Sequence, residues 1–326
     1  MTHVLNRFVV GTKSSLSRIL SLCTAIMGVT LLIFSCKTPK TTLQNGDGDS
    51  VLTFRSFGKG KPVFILSGGP GHASFYMDSV AKRISQMGYR AIVINQYGTD
   101  ASVQRFDTAR VTLPHFVEDI ERLRKALGYA SFTLLGHSWG GSLAMAYVRT
   151  YPRTTNGLIL SCSGAFGLEA SDRMANNITA RLSEADKAAM KRWDDSLEAD
   201  VDQNRVMLAQ RRIRQVAFTY DRANHQRLIN EIVNTSPFFI QVGNRMFADA
   251  FVLHDYQVLS HLKDYPSPVL VLDGKQDVLG IETTQLIVSS FSNAQLVLID
   301  QCGHYPWIDN PVPYFNQIES FLRKKH

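Results

Sequence analysis

Leu134-Leu135-Gly136-His137-Ser138-Trp139-Gly140-Gly141 is the stretch that decides the fold. An apolar run from Phe132 to Leu135 ends in Gly-x-Ser-x-Gly, and an Ala- and Leu-rich helical pattern begins directly after it. This order predicts a strand, a sharp turn with Ser138 at its tip, and a helix. In that context a serine stands exposed as a nucleophile at the top of a sheet. A serine in so tight a turn crowds the backbone on both sides, and Gly136 and Gly140 relieve the crowding because they carry no Cβ.

Short apolar strands alternate with helical patterns on either side of this elbow. Val51 to Phe57, Pro62 to Leu66, Arg90 to Asn95 and Gly157 to Ser161 read as strands. Ser74 to Met87 and Leu113 to Leu127 read as helices, the second with Phe116, Ile120, Leu123 and Leu127 at helical spacing. Strands return at Pro268 to Leu272 and Ala294 to Ile299, with helices from Glu282 to Phe291 and from Val312 to Lys324. The pattern predicts an α/β fold with a mostly parallel central sheet and helices on both faces. Between about residues 167 and 262 the strand signal stops, and the insertion reads as a helical cap. Ser183-Glu184-Ala185-Asp186 fits a capping box in its Asp-ended form. Arg205 to Val216 is expected to turn Arg211, Arg212 and Arg214 toward water, and Phe residues such as Phe218, Phe238 and Phe239 to pack or line a pocket.

A serine hydroxyl needs a histidine to take its proton and a carboxylate to orient that histidine. Elbow enzymes carry the three in chain order Ser, Asp, His. Ser138, Asp277 and His304 meet that order, the last two each one loop past a strand, which puts all three at the carboxyl edge of the sheet. Asp273 is the competing acid, but it stands at the very end of its strand, whereas Asp277 is a tight turn further on. The developing oxyanion needs backbone donors. The N–H of Trp139 and that of Gly69, in Ser67-Gly68-Gly69-Pro70-Gly71, are the candidates. His137 is expected to pack inside the elbow, and His72, beside the glycine loop, to touch substrate. This chemistry calls for no cofactor, and no cysteine or histidine spacing suggests a metal.

The chain has 326 residues and a formal charge of +7. Arg7, Lys13 and Arg18 contribute to that excess from an N-terminal segment without acids, so the body is nearer to balance and nucleic acid is not an expected partner. Ile19 to Ser35 is an uncharged, mostly apolar run, so residues 1–35 read as a signal peptide or membrane anchor. Ile33-Phe34-Ser35-Cys36 resembles the lipobox of bacterial lipoproteins. That resemblance implies cleavage before Cys36, lipidation of its sulfur, and export to a membrane of a bacterial cell envelope. An uncleaved anchor stays open as the alternative. Residues 36–50 read as a flexible linker and 51–326 as the folded domain. Cys162 and Cys302, the two cysteines of the body, read as free thiols.

Gly68-Gly69-Pro70-Gly71, Gly136-His137-Ser138-Trp139-Gly140-Gly141 and Gly303-His304-Tyr305-Pro306-Trp307 together resemble the prolyl aminopeptidase branch of the α/β-hydrolase superfamily. The resemblance implies a serine peptidase that removes an N-terminal residue from a small peptide or amide beneath a helical cap. It also implies cap carboxylates that hold the substrate's amine, for which Glu231 is the candidate and Glu198 a weaker one. Two departures stand out: Ser67 replaces the histidine before the glycines, and Asn95 and Asp100 alter the loop after the third strand. A carboxylesterase or related acyl hydrolase is the alternative. A non-catalytic binding protein on this scaffold is disfavoured by the complete Ser, Asp, His set, and a dehalogenase or epoxide hydrolase would want Asp at 138.

Overall fold

A computed structural model of the chain describes residues 40–44, 51–99, 106–165, 167–198, 202–249 and 259–324. The apolar run 19–35 and the lipidation candidate Cys36 lie outside these residues. Among the described residues no helix is long and apolar enough to cross a membrane.

The described strands form one sheet. β1 (Lys40–Gln44) and β2 (Val51–Phe57) make an antiparallel edge pair, with Lys40 opposite Arg55 and Gln44 opposite Val51. β3 (Pro62–Leu66), β4 (Arg90–Ile94), β5 (Phe132–His137), β6 (Thr155–Ser161), β7 (Val269–Gly274) and β8 (Ala294–Ile299) run parallel, in the spatial order β1-β2-β4-β3-β5-β6-β7-β8. β1 corrects the expectation of a structureless linker over 36–50. Thr41, Thr42 and Leu43 are acceptable strand formers, and the open edge of β2 offers them a ladder of backbone partners.

Burial follows from the pleat. Phe64, Leu66 and Leu134 pack on one face with Phe116 and Ile120 of α2, whereas Val63, Ile65 and Leu135 pack on the other with Val80 and Ile84 of α1. Here α1 is Asp78–Gln86 and α2 is Leu113–Ala126. The helix after the elbow, α3 (Trp139–Thr150), shares the α2 face. Each fully buried Leu, Ile or Val contributes about 1.5–3 kcal/mol, so a sheet covered on both sides rigidly holds the loops at its carboxyl edge.

The cap consists of helices, as expected. It contains α4 (Leu168–Arg181), α5 (Glu184–Glu198), α6 (Gln203–Arg214), a helical stretch from His225 to Val233, and α7 (Ile240–Phe247). The capping box forms at the start of α5. Asp186 N–H donates to the Ser183 hydroxyl oxygen at 3.1 Å, and Ser183 N–H donates to the Asp186 carboxylate at 2.9 Å. The chain then returns to the sheet through β7 and β8, covered by α8 (Ile281–Ser289) and α9 (Pro311–Arg323).

Candidate active site

Ser138 sits between β5 and α3 with φ 56° and ψ −124°, a left-handed conformation that costs a non-glycine residue on the order of 1–3 kcal/mol. Its surroundings enforce it. Ser138 N–H donates to Ser161 O at 3.1 Å, and Ser138 O accepts from Gly141 N–H and Gly164 N–H at 2.9 and 3.0 Å. A Cβ on Gly136 would stand 2.2 Å from Gly140 O, and one on Gly140 would stand 2.4 Å from Leu66 O. Both elbow glycines are therefore required by backbone contact. From Phe132 to Val148 every residue is buried except Ser138. The turn lifts this one side chain out of the core.

His304 follows β8 and Asp277 follows β7. The His304 Nδ1 lies 3.0 and 2.9 Å from the two Asp277 carboxylate oxygens, so Nδ1 carries a proton and donates it to the acid. Burial alone would raise the Asp277 carboxyl. The charge and hydrogen bond of His304, then the Leu279 amide at 2.9 Å, hold it below its usual value instead. Asp273, the competing acid, points elsewhere: its carboxylate accepts from the Thr284 hydroxyl at 2.5 Å. Burial, then the charge of Asp277, pushes Asp273 up to about 7.

His137 is buried in the elbow, as expected, and does more than pack. Its Nε2 faces the backbone carbonyl of His304 at 2.9 Å and therefore donates, which leaves Nδ1 to accept from the Tyr76 hydroxyl at 2.9 Å. The Tyr76 oxygen accepts in turn from the N–H of Gly68. Tyr305 and Trp307 enclose the same imidazole, with ring centres 5.4 and 4.8 Å away. Burial, then His304, pushes His137 down to about 3, so it is neutral. Gly68 N–H is thus committed to Tyr76, and Gly69 remains the candidate donor from that loop. Gln96 braces the opposite side, accepting from Trp139 Nε1 at 3.0 Å and donating to Ser67 O at 2.7 Å.

A family model described as the alpha/beta hydrolase fold matches residues 61–311. The chain belongs to this family. It is 26% identical over 281 residues to a proline iminopeptidase of Saccharolobus solfataricus, covering 82% of this chain and 87% of that protein. It is 25% identical to the proline iminopeptidase of Lactobacillus delbrueckii subsp. lactis, covering 80% and 90%. Among solved structures, the proline iminopeptidase of Mycobacterium smegmatis superposes with a TM-score of 0.66 at 21% identity, over 88% of this chain and 98% of that one. VinJ does so with a TM-score of 0.68 at 20% identity, over 87% and 98%. The resemblance read from the three motifs is borne out, and these two structures add the fold alone.

In this α/β-hydrolase Asn95 belongs to a buried polar cluster rather than to the pocket. It accepts from Arg55 Nη1 at 2.6 Å and donates to Thr53 at 2.6 Å. Asp78, 2.7 Å from Arg55 Nη2, supplies the counter-charge that a neutral residue at 95 does not. Asp100 lies outside the described residues.

The cap holds a half-open cavity of about 880 Å³. His72 lines it, and so do Arg211, Arg212, Arg214, Phe218 and Phe238. Phe218 also sets its ring edge-on to that of His304, with ring centres 5.3 Å apart, so the cavity borders the candidate base. Glu231 is not part of it. This carboxylate pairs with Arg227 at 2.7 Å on the helix surface, one turn along the same helical stretch, so the expectation that it holds a substrate amine is corrected. The side chain of Glu198 lies outside the described residues. Arg211 is corrected too: it turns inward, donating to Ser236 O at 3.0 Å and to His72 Nδ1 at 3.2 Å. Tyr76 and Ser236 were not expected at the site, since no local motif marks them.

The cap and the glycine loop share backbone hydrogen bonds. Phe239 N–H donates to Gly71 O at 2.8 Å, Ala73 N–H donates to Pro237 O at 3.0 Å, and Tyr76 N–H donates to the Ser236 hydroxyl at 2.9 Å. Buried Cys162 lies with Asp277 and His304 in a group whose ligand atoms are within 4.8 Å of one another. Burial holds this thiol well above its ordinary pKa, and Asp277 and His304 are occupied with each other, so the trio makes a poor metal site. Cys162 and Cys302 are both free and buried.

Proposed function

We propose that the protein is a serine hydrolase that cleaves a small ester or amide through an acyl-enzyme on Ser138. The carrying observation is the orientation of His304 by both oxygens of Asp277, together with a strained, partly exposed serine at the elbow. In this reading Ser138 Oγ attacks the carbonyl carbon and its proton passes to His304 Nε2. Asp277 steadies the imidazolium through Nδ1–H, and the N–H groups of Trp139 and Gly69 receive the oxyanion. His304 then protonates the leaving oxygen or nitrogen. Water, activated by the same histidine, hydrolyses the acyl-enzyme. A fluorophosphonate probe should label the wild type and leave Ser138→Ala unlabelled; labelling of the alanine variant would sink the assignment.

The proline iminopeptidases among the relatives support an aminopeptidase-like substrate. The cavity supports the other reading, an acyl hydrolase indifferent to a free amine, because no carboxylate is among its described lining residues. Proline and alanine arylamides, their N-acetylated forms and short acyl esters separate the two. Turnover of arylamides that vanishes on acetylation supports the aminopeptidase, and ester-only turnover supports the acyl hydrolase.

Residues 1–36 support a further part of the proposal, a membrane-anchored lipoprotein of the bacterial cell envelope acylated on Cys36. Cys36→Ser should release the protein from the membrane fraction or block processing. Unchanged fractionation and mass would refute it.

A further inference from the structure

We propose that the cavity under the cap takes a substrate that carries a carboxylate remote from the scissile bond, with Arg211 as the residue that receives it. The proposal rests on the serine-hydrolase reading above and names its substrate class.

Arg211, Arg212 and Arg214 all line the cavity, no Asp or Glu is among its described lining residues, and among the described residues none of the three arginines forms an ion pair. Arg212 and Arg214 are exposed, where water screens their charge. Arg211 is different. It is largely withdrawn from water, its Nε is buried without a partner, and its protein partners are the neutral Ser236 carbonyl and His72. A guanidinium offers five N–H donors and keeps its charge throughout the accessible pH range. Leaving such a charge partly desolvated and without a counter-ion is unfavourable, and an arriving carboxylate removes that cost through charge-assisted hydrogen bonds.

The neighbours make the charge useful. Arg211 donates to His72 Nδ1, so the proton of this imidazole is on Nε2. Burial, then Arg211, keeps the ring neutral. One inward cation beside a neutral donor matches a single negative charge better than a doubly charged phosphate. The position fits as well, since His72 directly follows Gly71 of the candidate oxyanion loop and Phe218 touches His304. A substrate ammonium placed here would meet like charge.

The test compares charged and neutral members of two ester pairs. One pair puts the carboxylate on the acyl side, as the p-nitrophenyl monoester of glutaric acid against p-nitrophenyl pentanoate. The other puts it on the leaving group, as 3-carboxyphenyl butyrate against phenyl butyrate. The wild type should favour the charged member of at least one pair by about tenfold in kcat/KM, and Arg211→Met should abolish that preference mainly through KM. Arg211→Lys should keep part of it, and Arg149→Met, which removes an exposed charge at the end of α3, should keep all of it. A wild type that favours the neutral esters or amine-bearing substrates overturns the proposal, as does a preference unchanged in Arg211→Met. If that variant does not fold, inhibition of wild-type turnover of the neutral ester by glutarate, relieved by salt, supports the proposal, and absence of inhibition overturns it. Fluorophosphonate labelling run in parallel separates the failures. Label without charge preference defeats this proposal alone, whereas neither label nor turnover removes the hydrolase reading beneath it.

Discussion

His137, the residue just before Ser138, donates from Nε2 to the backbone carbonyl of His304 at 2.9 Å. The segment that carries the candidate base is thereby tied to the turn that carries the serine. His137→Phe removes this bond and strands the Tyr76 hydroxyl in the core. Each lost partner is expected to cost about 1–3 kcal/mol of stability. Misplacement of His304 is expected to lower kcat by about 10–100-fold with a smaller change in KM. His137→Gln, which can both donate and accept, should recover part of both. Thermal unfolding and steady-state kinetics on an ester check this.

Asp277→Asn keeps the shape of the acid and can still accept from the Leu279 amide, but it no longer fixes the proton on His304 Nδ1. By the behaviour of such triads, kcat should fall about 10³–10⁴-fold, and the fluorophosphonate reaction should slow in parallel. An undiminished labelling rate would show that Asp277 does not orient the base.

Asp273 predicts a dependence of stability on pH. Its folded pKa is raised to about 7, above the 3.8 of an ordinary aspartate, by burial and then by Asp277. The folded state therefore binds the proton more tightly than the unfolded state, and the associated stability is fully present below about pH 4. It is lost as pH rises through 7. Asp273→Asn can still accept from Thr284 and has no proton to lose, so the drop in melting temperature between pH 6 and pH 8.5 should be smaller in the variant than in the wild type. Equal drops would show that another group governs this range.

Gly140→Ala and Gly128→Ala should differ sharply. A Cβ at 140 meets Leu66 O at 2.4 Å and Ser67 O at 2.7 Å, so β3 or the elbow has to move. At 128 nothing lies within 4 Å, and only φ +72° is unfavourable. The second change should cost about 1 kcal/mol and the first several times as much, with loss of fluorophosphonate labelling. Denaturant unfolding of both variants gives the comparison.

The sheet, the elbow and the pair Asp277–His304 were legible because each is fixed by chain-local signals: two-sided apolar strands, a glycine-flanked serine, and polar residues one loop past a strand. β1 was not, since Lys40–Gln44 is polar and short, and its pairing depends on an edge that no local pattern announces. Arg211 was misread for a related reason. On a helix such as α6 a cation is assigned to water by default, and only the packing of the cap on the glycine loop turns this one inward. Glu231 was placed by a family expectation without a flanking motif, and its i,i+4 partner Arg227 was the local signal for a surface pair. Tyr76 and Ser236 reach the site from distant parts of the sequence, as hydrogen-bonding partners that only the fold brings together.

The bonds from Gly71 and Ala73 to Phe239 and Pro237 give the cap a fixed margin. A cap that swung away along this side would pull the candidate oxyanion donors out of register, so admission of substrate has to come from motion at another margin. The same stitching constrains divergence. A foreign cap grafted onto this sheet would have to bring its own match for residues 236–239, or the enzyme would exchange its specificity and lose its reaction in a single step.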